Sequence, residues 1–122
     1  MARILIIDDS TFQRKIISSI LTADRHEVIS ATNGRDGLDA AQREHPDAIV
    51  TDLLMPDMDG FSFLQAVKTA GIGIPVLILT SDIQTATRDR CIALGAAGVM
   101  NKPVKKENLL EKVRQVLGAG KS

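Results

Sequence analysis

Three carboxylates, two hydroxyls and one ammonium each follow directly on a short apolar run: Asp8 and Asp9 after Arg3 to Ile7, Asp52 after Ala48 to Thr51, Thr80 and Ser81 after Pro75 to Leu79, and Lys102 after Gly98 to Asn101. If these runs are parallel strands, right-handed crossovers bring their carboxyl ends to one rim of the sheet, beside a switch point where ligands bind. Three carboxylates a few ångströms apart repel one another, each pair by roughly 4 kcal/mol at about 4 Å for an effective dielectric near 20. A cation must offset that. A hard divalent ion such as Mg²⁺ takes one or two carboxylates, several waters and a phosphate oxygen, and Lys102 supplies further positive charge. An aspartate in this setting can attack a phosphoryl group, because metal, lysine and hydroxyl together neutralise the transferring oxygens.

The elements that must position these groups are legible from periodicity. Strands are expected at Arg3 to Ile7, Glu27 to Ala31, Ala48 to Thr51, Pro75 to Leu79 and Gly98 to Asn101. They are continuous apolar runs rather than alternating ones, as a sheet covered on both faces requires. Between them lie segments of helical period, which is the pattern of βαβ units. The last helix places Leu109, Leu110, Val113, Val116 and Leu117 on one stripe, and the first does the same with Phe12, Ile16, Ile17, Ile20 and Leu21. Asp9 or Ser10 is the expected N-cap of the first helix, Asn33 of the second, Asp59 of the third, and Ser81 or Asp82 of the fourth. Gly71 and Gly118 mark the expected ends of helices three and five.

The 122 residues suit one domain, read as residues 1–118 with a Gly-rich, polar and frayed tail at 119–122. Fifteen Lys and Arg balance fifteen Asp and Glu, so the basic field that non-specific nucleic-acid binding needs is missing and no nucleic-acid partner is expected. Cys91 is the only cysteine, which rules out an intrachain disulfide and a thiolate metal cluster within one chain. The apolar runs fall far short of the roughly 20 residues that span a bilayer. A cytoplasmic protein without membrane association is expected.

The series Asp8-Asp9-Ser10, then Asp52 followed by Met55-Pro56-Asp57-Met58-Asp59-Gly60, then Thr80-Ser81, then Lys102-Pro103 resembles the receiver domain of two-component response regulators, most closely the chemotaxis-type single-domain regulators. The match covers essentially the whole chain. The resemblance implies an α/β, flavodoxin-like fold, a five-stranded parallel sheet of order 2-1-3-4-5 with five helices on both faces, the order known for the chemotaxis regulator itself. It also implies that Asp52 is the phosphoacceptor and that Asp9, Asp52 and the backbone carbonyl of Leu54 coordinate Mg²⁺ or Mn²⁺. Asp8 would act through a metal-bound water, while Thr80 and Lys102 would contact the phosphoryl oxygens. The donor would be a phosphohistidine on a sensor histidine kinase or a histidine phosphotransfer domain. The product would signal to a downstream protein through the face of helix four, strand five and helix five. Such a domain is no enzyme beyond catalysing its own phosphorylation and dephosphorylation. Receivers carry an aromatic residue three positions before the lysine; here Val99 stands there, so the aromatic part of the family's switch is missing.

Other readings of the same residues fail on spacing. Asp57 and Asp59 before Gly60 have the look of a calcium loop, but Ala66 falls where the bidentate Glu is needed. Gly120-Lys121-Ser122 ends like a phosphate-binding loop, yet Gln115 stands at its first glycine. No glycine fingerprint follows the first strand, against dinucleotide binding. Haloacid-dehalogenase-like phosphotransferases want a second Asp two residues after the nucleophile, where this chain has Leu54. A receiver fold that binds a partner without being phosphorylated is the remaining alternative, and retention of every acidic residue, Thr80 and Lys102 speaks against it. His26 and His45 are read as surface or boundary residues, and Cys91 as a small packing residue.

Overall fold

The computed structural model describes residues 2–55, 57–82 and 84–119. Strands and helices alternate along the chain as β1(Arg3–Ile7), α1(Thr11–Ala23), β2(Glu27–Ala31), α2(Gly34–Glu44), β3(Ala48–Asp52), α3(Gly60–Thr69), β4(Val76–Thr80), α4(Thr85–Ala93), β5(Gly98–Asn101) and α5(Lys106–Ala119). The strands form one sheet of order β2-β1-β3-β4-β5, and each neighbouring pair is parallel. This is the flavodoxin-like arrangement expected from the sequence.

Because successive side chains of a strand point to opposite faces, the apolar runs feed two separate cores. Leu5, Ile7, Ile49, Val76, Ile78 and Val99 pack with Ala40 and Ala41 of α2, Phe63, Leu64 and Val67 of α3, and Cys91 of α4. On the other face Ile4, Ile6, Val50, Leu77, Leu79 and Met100 meet Ile17 and Leu21 of α1 and Leu109, Leu110, Val113 and Val116 of α5. Each Val, Leu, Ile, Phe or Met among them contributes about 1.5–3 kcal/mol when fully buried. α2 lies especially close to β1: a Cβ on Gly37 would stand 2.3 Å from Ile7 Cδ1.

Three of the expected caps are in place. The side chains of Ser10, Asn33 and Asp59 accept the backbone N–H of Gln13, Asp36 and Ser62, each satisfying a donor the helix itself leaves open. The fourth differs. α4 begins after Gln84, whose side chain makes no cap bond, so neither Ser81 nor Asp82 is its N-cap. Asp82 instead accepts the N–H of Gln84 and the hydroxyl of Thr87 from three residues ahead of the first helical residue, Thr85. Gly71 follows α3 with φ +69°, a left-handed position that suits glycine. Gly118 does not end α5, which runs on to Ala119. The stripe from Leu109 to Leu117 carries the helix through a glycine whose interior cost is only about 1 kcal/mol. Residues 120–122 of the expected frayed tail lie outside the described residues.

Three boundaries in two strands shift by one residue, with a consequence for function. β3 extends to Asp52, paired with Leu79, and β4 ends at Thr80, paired with Asn101. Pro75 has no N–H for the ladder, although its carbonyl accepts from Ile49. Asp52 and Thr80 thus occupy the last ladder positions of two central strands rather than free loops. Among the described residues no helix is long and apolar enough to cross a membrane.

Candidate functional site

The carboxyl ends of β1, β3, β4 and β5 meet at one rim, as the topology requires. Asp8 and Asp52 are buried there and Asp9 is exposed. One carboxylate oxygen from each of the three lies within 4.8 Å of the others. Lys102, just past β5, places Nζ 3.0 Å from Asp52 Oδ2, while Oδ1 of the same carboxylate accepts the Leu53 N–H at 2.9 Å. The sequence therefore brings Asp8, Asp9, Asp52 and Lys102 together as expected. Leu54, next in the chain, turns its side chain outward with 74% exposure.

Local interactions hold this cluster in shape. Asp8 donates its backbone N–H to the Ala31 carbonyl, and its Oδ1 accepts the Ser10 N–H at 2.9 Å, which bends the chain from β1 into α1. The Arg14 guanidinium donates to the Asp8 carbonyl oxygen at 2.6 Å. On the β3 side, Gly60 donates its N–H to the Leu53 carbonyl, and a Cβ there would sit 3.0 Å from Leu53 Cα. Only a residue without a side chain lets α3 start so near the acidic rim. Asp57 accepts from the N–H groups of Gly34 and Arg35, tying the loop after β3 to the start of α2. Arg14 and Asp57 were not recognised as site-supporting residues from the sequence. Asp57 caps the start of α2 and Asp59 the start of α3, so neither is part of a calcium loop.

The electrostatics are those of a cation site. Burial pushes the Asp8 carboxyl above its ordinary pKa of 3.8, opposed by the Ser10 hydrogen bond and reinforced by the negative charge of Asp52. Asp8 Oδ2 is buried and finds no hydrogen-bond partner among the described residues. An orphaned, buried carboxylate oxygen facing two further carboxylates fits a hard divalent cation, whose ligands are oxygens. The residues present therefore suit Mg²⁺ or Mn²⁺.

A pH dependence follows. The raised pKa means that the native state holds the Asp8 proton more tightly than the unfolded chain, so this group's contribution falls as pH rises from 3.8 through the native value. At neutral pH the buried charge is a net cost. Asp8→Asn, measured without divalent metal by urea unfolding, should raise stability by on the order of 1 kcal/mol at pH 7, since an amide can donate to the neighbouring carboxylates. The gain should shrink toward pH 4, and a gain that is independent of pH would show that Asp8 carries no such cost.

Thr80 is buried at the end of β4, its hydroxyl oxygen accepts the Asp82 N–H at 3.0 Å, and among the described residues its own O–H donates to no partner. The Lys102 N–H donates to the Thr80 carbonyl, so the two residues are coupled through the backbone. Val99 lies buried beside Ile78 in the core that also holds Cys91. Phe12, which fits the apolar stripe of α1 and could either cover the edge of the core or be offered to a partner, is 74% exposed in the first turn of the helix. The packing reading of Cys91 holds, and His45 is exposed. His26 is half-buried, a boundary residue, with its Nε2 3.3 Å from Asp24 Oδ2, while the other Asp24 oxygen bonds Arg114.

Comparison with known proteins gives this site a context. The family model of the response regulator receiver domain matches residues 4–114. The protein PilH of Pseudomonas aeruginosa is 38% identical over 119 residues, covering 96% of this chain and 98% of PilH. A protein-glutamate methylesterase/protein-glutamine glutaminase of Treponema denticola is 41% identical over 105 residues, which span 28% of that longer protein. Among solved structures, the chemotaxis response regulator CheY4 of Vibrio cholerae superposes with a TM-score of 0.89 at 36% identity, covering 95% of this chain and 98% of that one.

Proposed function

This chain belongs to the response regulator receiver family of two-component signal transduction, and from that premise we propose that Asp52 is the residue on which it accepts the phosphoryl group. The observation that carries this reading is the Asp52 carboxylate at the end of β3, paired with Lys102 at 3.0 Å and crowded by Asp8 and Asp9. Asp8, Asp9, Asp52 and the carbonyl of Leu54 would hold Mg²⁺ or Mn²⁺. When bound, the cation neutralises charge on the transferring oxygens.

The chain's own residues do the rest. An oxygen of Asp52 forms a bond to phosphorus while the bond from phosphorus to the donor nitrogen breaks, and the released imidazole takes up a proton from solvent. The Leu53 N–H fixes the orientation of the attacking carboxylate. Lys102, displaced from its ion pair, turns its ammonium to the incoming phosphoryl oxygens, and Thr80 donates its O–H to one of them. The same groups serve the hydrolysis that ends the signal, so the domain acts catalytically only on itself. A sensor histidine kinase or a histidine phosphotransfer domain in the cytoplasm is the fitting donor, and a protein target on the face of α4, β5 and α5 the fitting receiver of the signal. Intact mass after incubation with a small-molecule phosphodonor and Mg²⁺ tests the reading: one added phosphoryl group supports it, and none would favour a partner-binding receiver that is not phosphorylated.

Phe12 and Leu54, each 74% exposed, follow the adjacent strands β1 and β3 and flank the acidic rim. Two large apolar side chains held in water beside a charged site suit a partner that must bring its phosphohistidine down onto it. Phe12→Ala should slow transfer from a kinase or phosphotransfer domain about tenfold while leaving transfer from a small phosphodonor unchanged. Equal slowing with both donors would place Phe12 outside the docking surface.

A further inference from the structure

α4 is the most weakly fastened helix of the fold. Cys91 is its one buried residue, and its N-terminus lacks a side-chain cap on Gln84. Two contacts compensate. At its far end Arg90 lies over the Phe61 ring of α3, 3.9 Å from the centroid, a cation–π contact. At its near end stands Asp82. Its Oδ1 accepts the Gln84 N–H at 2.9 Å and its Oδ2 accepts the Thr87 hydroxyl at 2.5 Å, while its own backbone N–H donates to the Thr80 hydroxyl oxygen at 3.0 Å.

We propose that Asp82 is a positioning residue that joins Thr80 to the first turn of α4, so that a phosphoryl group on Asp52 moves the helix through the polar chain Thr80, Asp82 and Thr87. The inference rests on Asp52 as acceptor. Among the described residues the Thr80 O–H has no acceptor while its oxygen is tied to Asp82, so a Thr80 that approaches a phosphoryl group with this bond intact draws the Asp82 backbone after it. Asp82 in turn carries Gln84 and Thr87. Those two bonds hold its carboxyl below the usual carboxylate range, with Thr87 as the larger cause, as expected where a carboxylate accepts charge-assisted hydrogen bonds. With Val99 short, stiff and buried where the family has a ring, the polar chain supplies a connection that an aromatic side chain cannot make here.

The coupling is reciprocal: if a ligand at Asp52 shifts α4, then the grip of Asp82 on α4 must oppose the ligand. Beryllofluoride with Mg²⁺, a mimic of the acyl phosphate, is the probe. Wild-type protein should show altered amide exchange over residues 84–94 on saturation. In Thr87→Ala the alteration should be lost from residues 85–93, and beryllofluoride should bind about fivefold tighter or more, since the helix no longer has to move. Asp82→Ala should behave alike. Asp82→Asn keeps an acceptor for the Gln84 N–H and an amide for the Thr87 hydroxyl, so it should restore the wild-type response, which a merely unfolded α4 would not. A change in exchange of wild-type size in Thr87→Ala, unaltered affinity, or failure of Asn to rescue would each overturn the relay alone. Wild-type protein that took up no beryllofluoride would overturn the acceptor reading and the relay with it.

Discussion

Asp52→Asn protein gains no phosphoryl mass from a small-molecule phosphodonor and Mg²⁺ under conditions where the wild type gains one, a loss of at least about a thousandfold in rate, as removal of a nucleophile entails. The amide is the same shape as the carboxylate and still accepts the Leu53 N–H that now bonds Oδ1, but its oxygen is too weak a nucleophile to attack phosphorus. The fold should survive. Asparagine loses the ion pair with Lys102, whose side chain is 24% exposed and can turn to solvent or toward Asp8, and it relieves the crowding of three carboxylates. These effects oppose each other, so stability without metal should change by no more than about 1 kcal/mol. Phosphoryl gain at one site in the mutant would identify a different acceptor.

The second large effect concerns the metal. A ligand that binds only the native state adds about 2.7 kcal/mol of stability at a hundredfold excess over its dissociation constant, which raises the melting temperature of a domain of this size by roughly 5–15 °C. Wild-type protein should show such a rise with Mg²⁺. Asp9→Ala should show less than half of it, because Asp9 is the exposed carboxylate of the cluster, able to reach an ion without any rearrangement of the core. Its removal costs no packing, so the melting temperature without Mg²⁺ should hardly move. Equal shifts in the two proteins would remove Asp9 from the coordination sphere.

What could be read from the sequence was what depends on neighbours along the chain. β1, β2 and β5 lie where their apolar runs end, and Ser10, Asn33 and Asp59 cap as their positions ahead of periodic segments require. The rim residues Asp8, Asp9, Asp52 and Lys102 converge because topology alone places strand ends together. Contacts between distant segments could not be read that way. Asp57 reaches across to α2, and nothing in its sequence environment distinguishes it from an exposed loop aspartate. Arg14 bonds the Asp8 carbonyl only because the loop between them folds back. Phe12 fits the period of α1 yet stands in water, since periodicity reports the face of a helix and not how far the sheet beneath it extends. Asp82 looked like a cap and instead braces the helix from outside, a choice set by where Thr80 ends β4.

The strand order has a consequence for how the protein comes into being. β2 joins β1, β3 joins the other side of β1, β4 joins β3 and β5 joins β4. Every strand after β1 therefore pairs with one that precedes it in the chain, and no earlier pairing has to open to admit it. Parallel pairings are slow to close because a crossover must be ordered first, but here the delays fall in sequence rather than compete. Lys102 follows directly on β5, the last strand, so the ion pair that completes the acidic rim closes only once the whole sheet is in place.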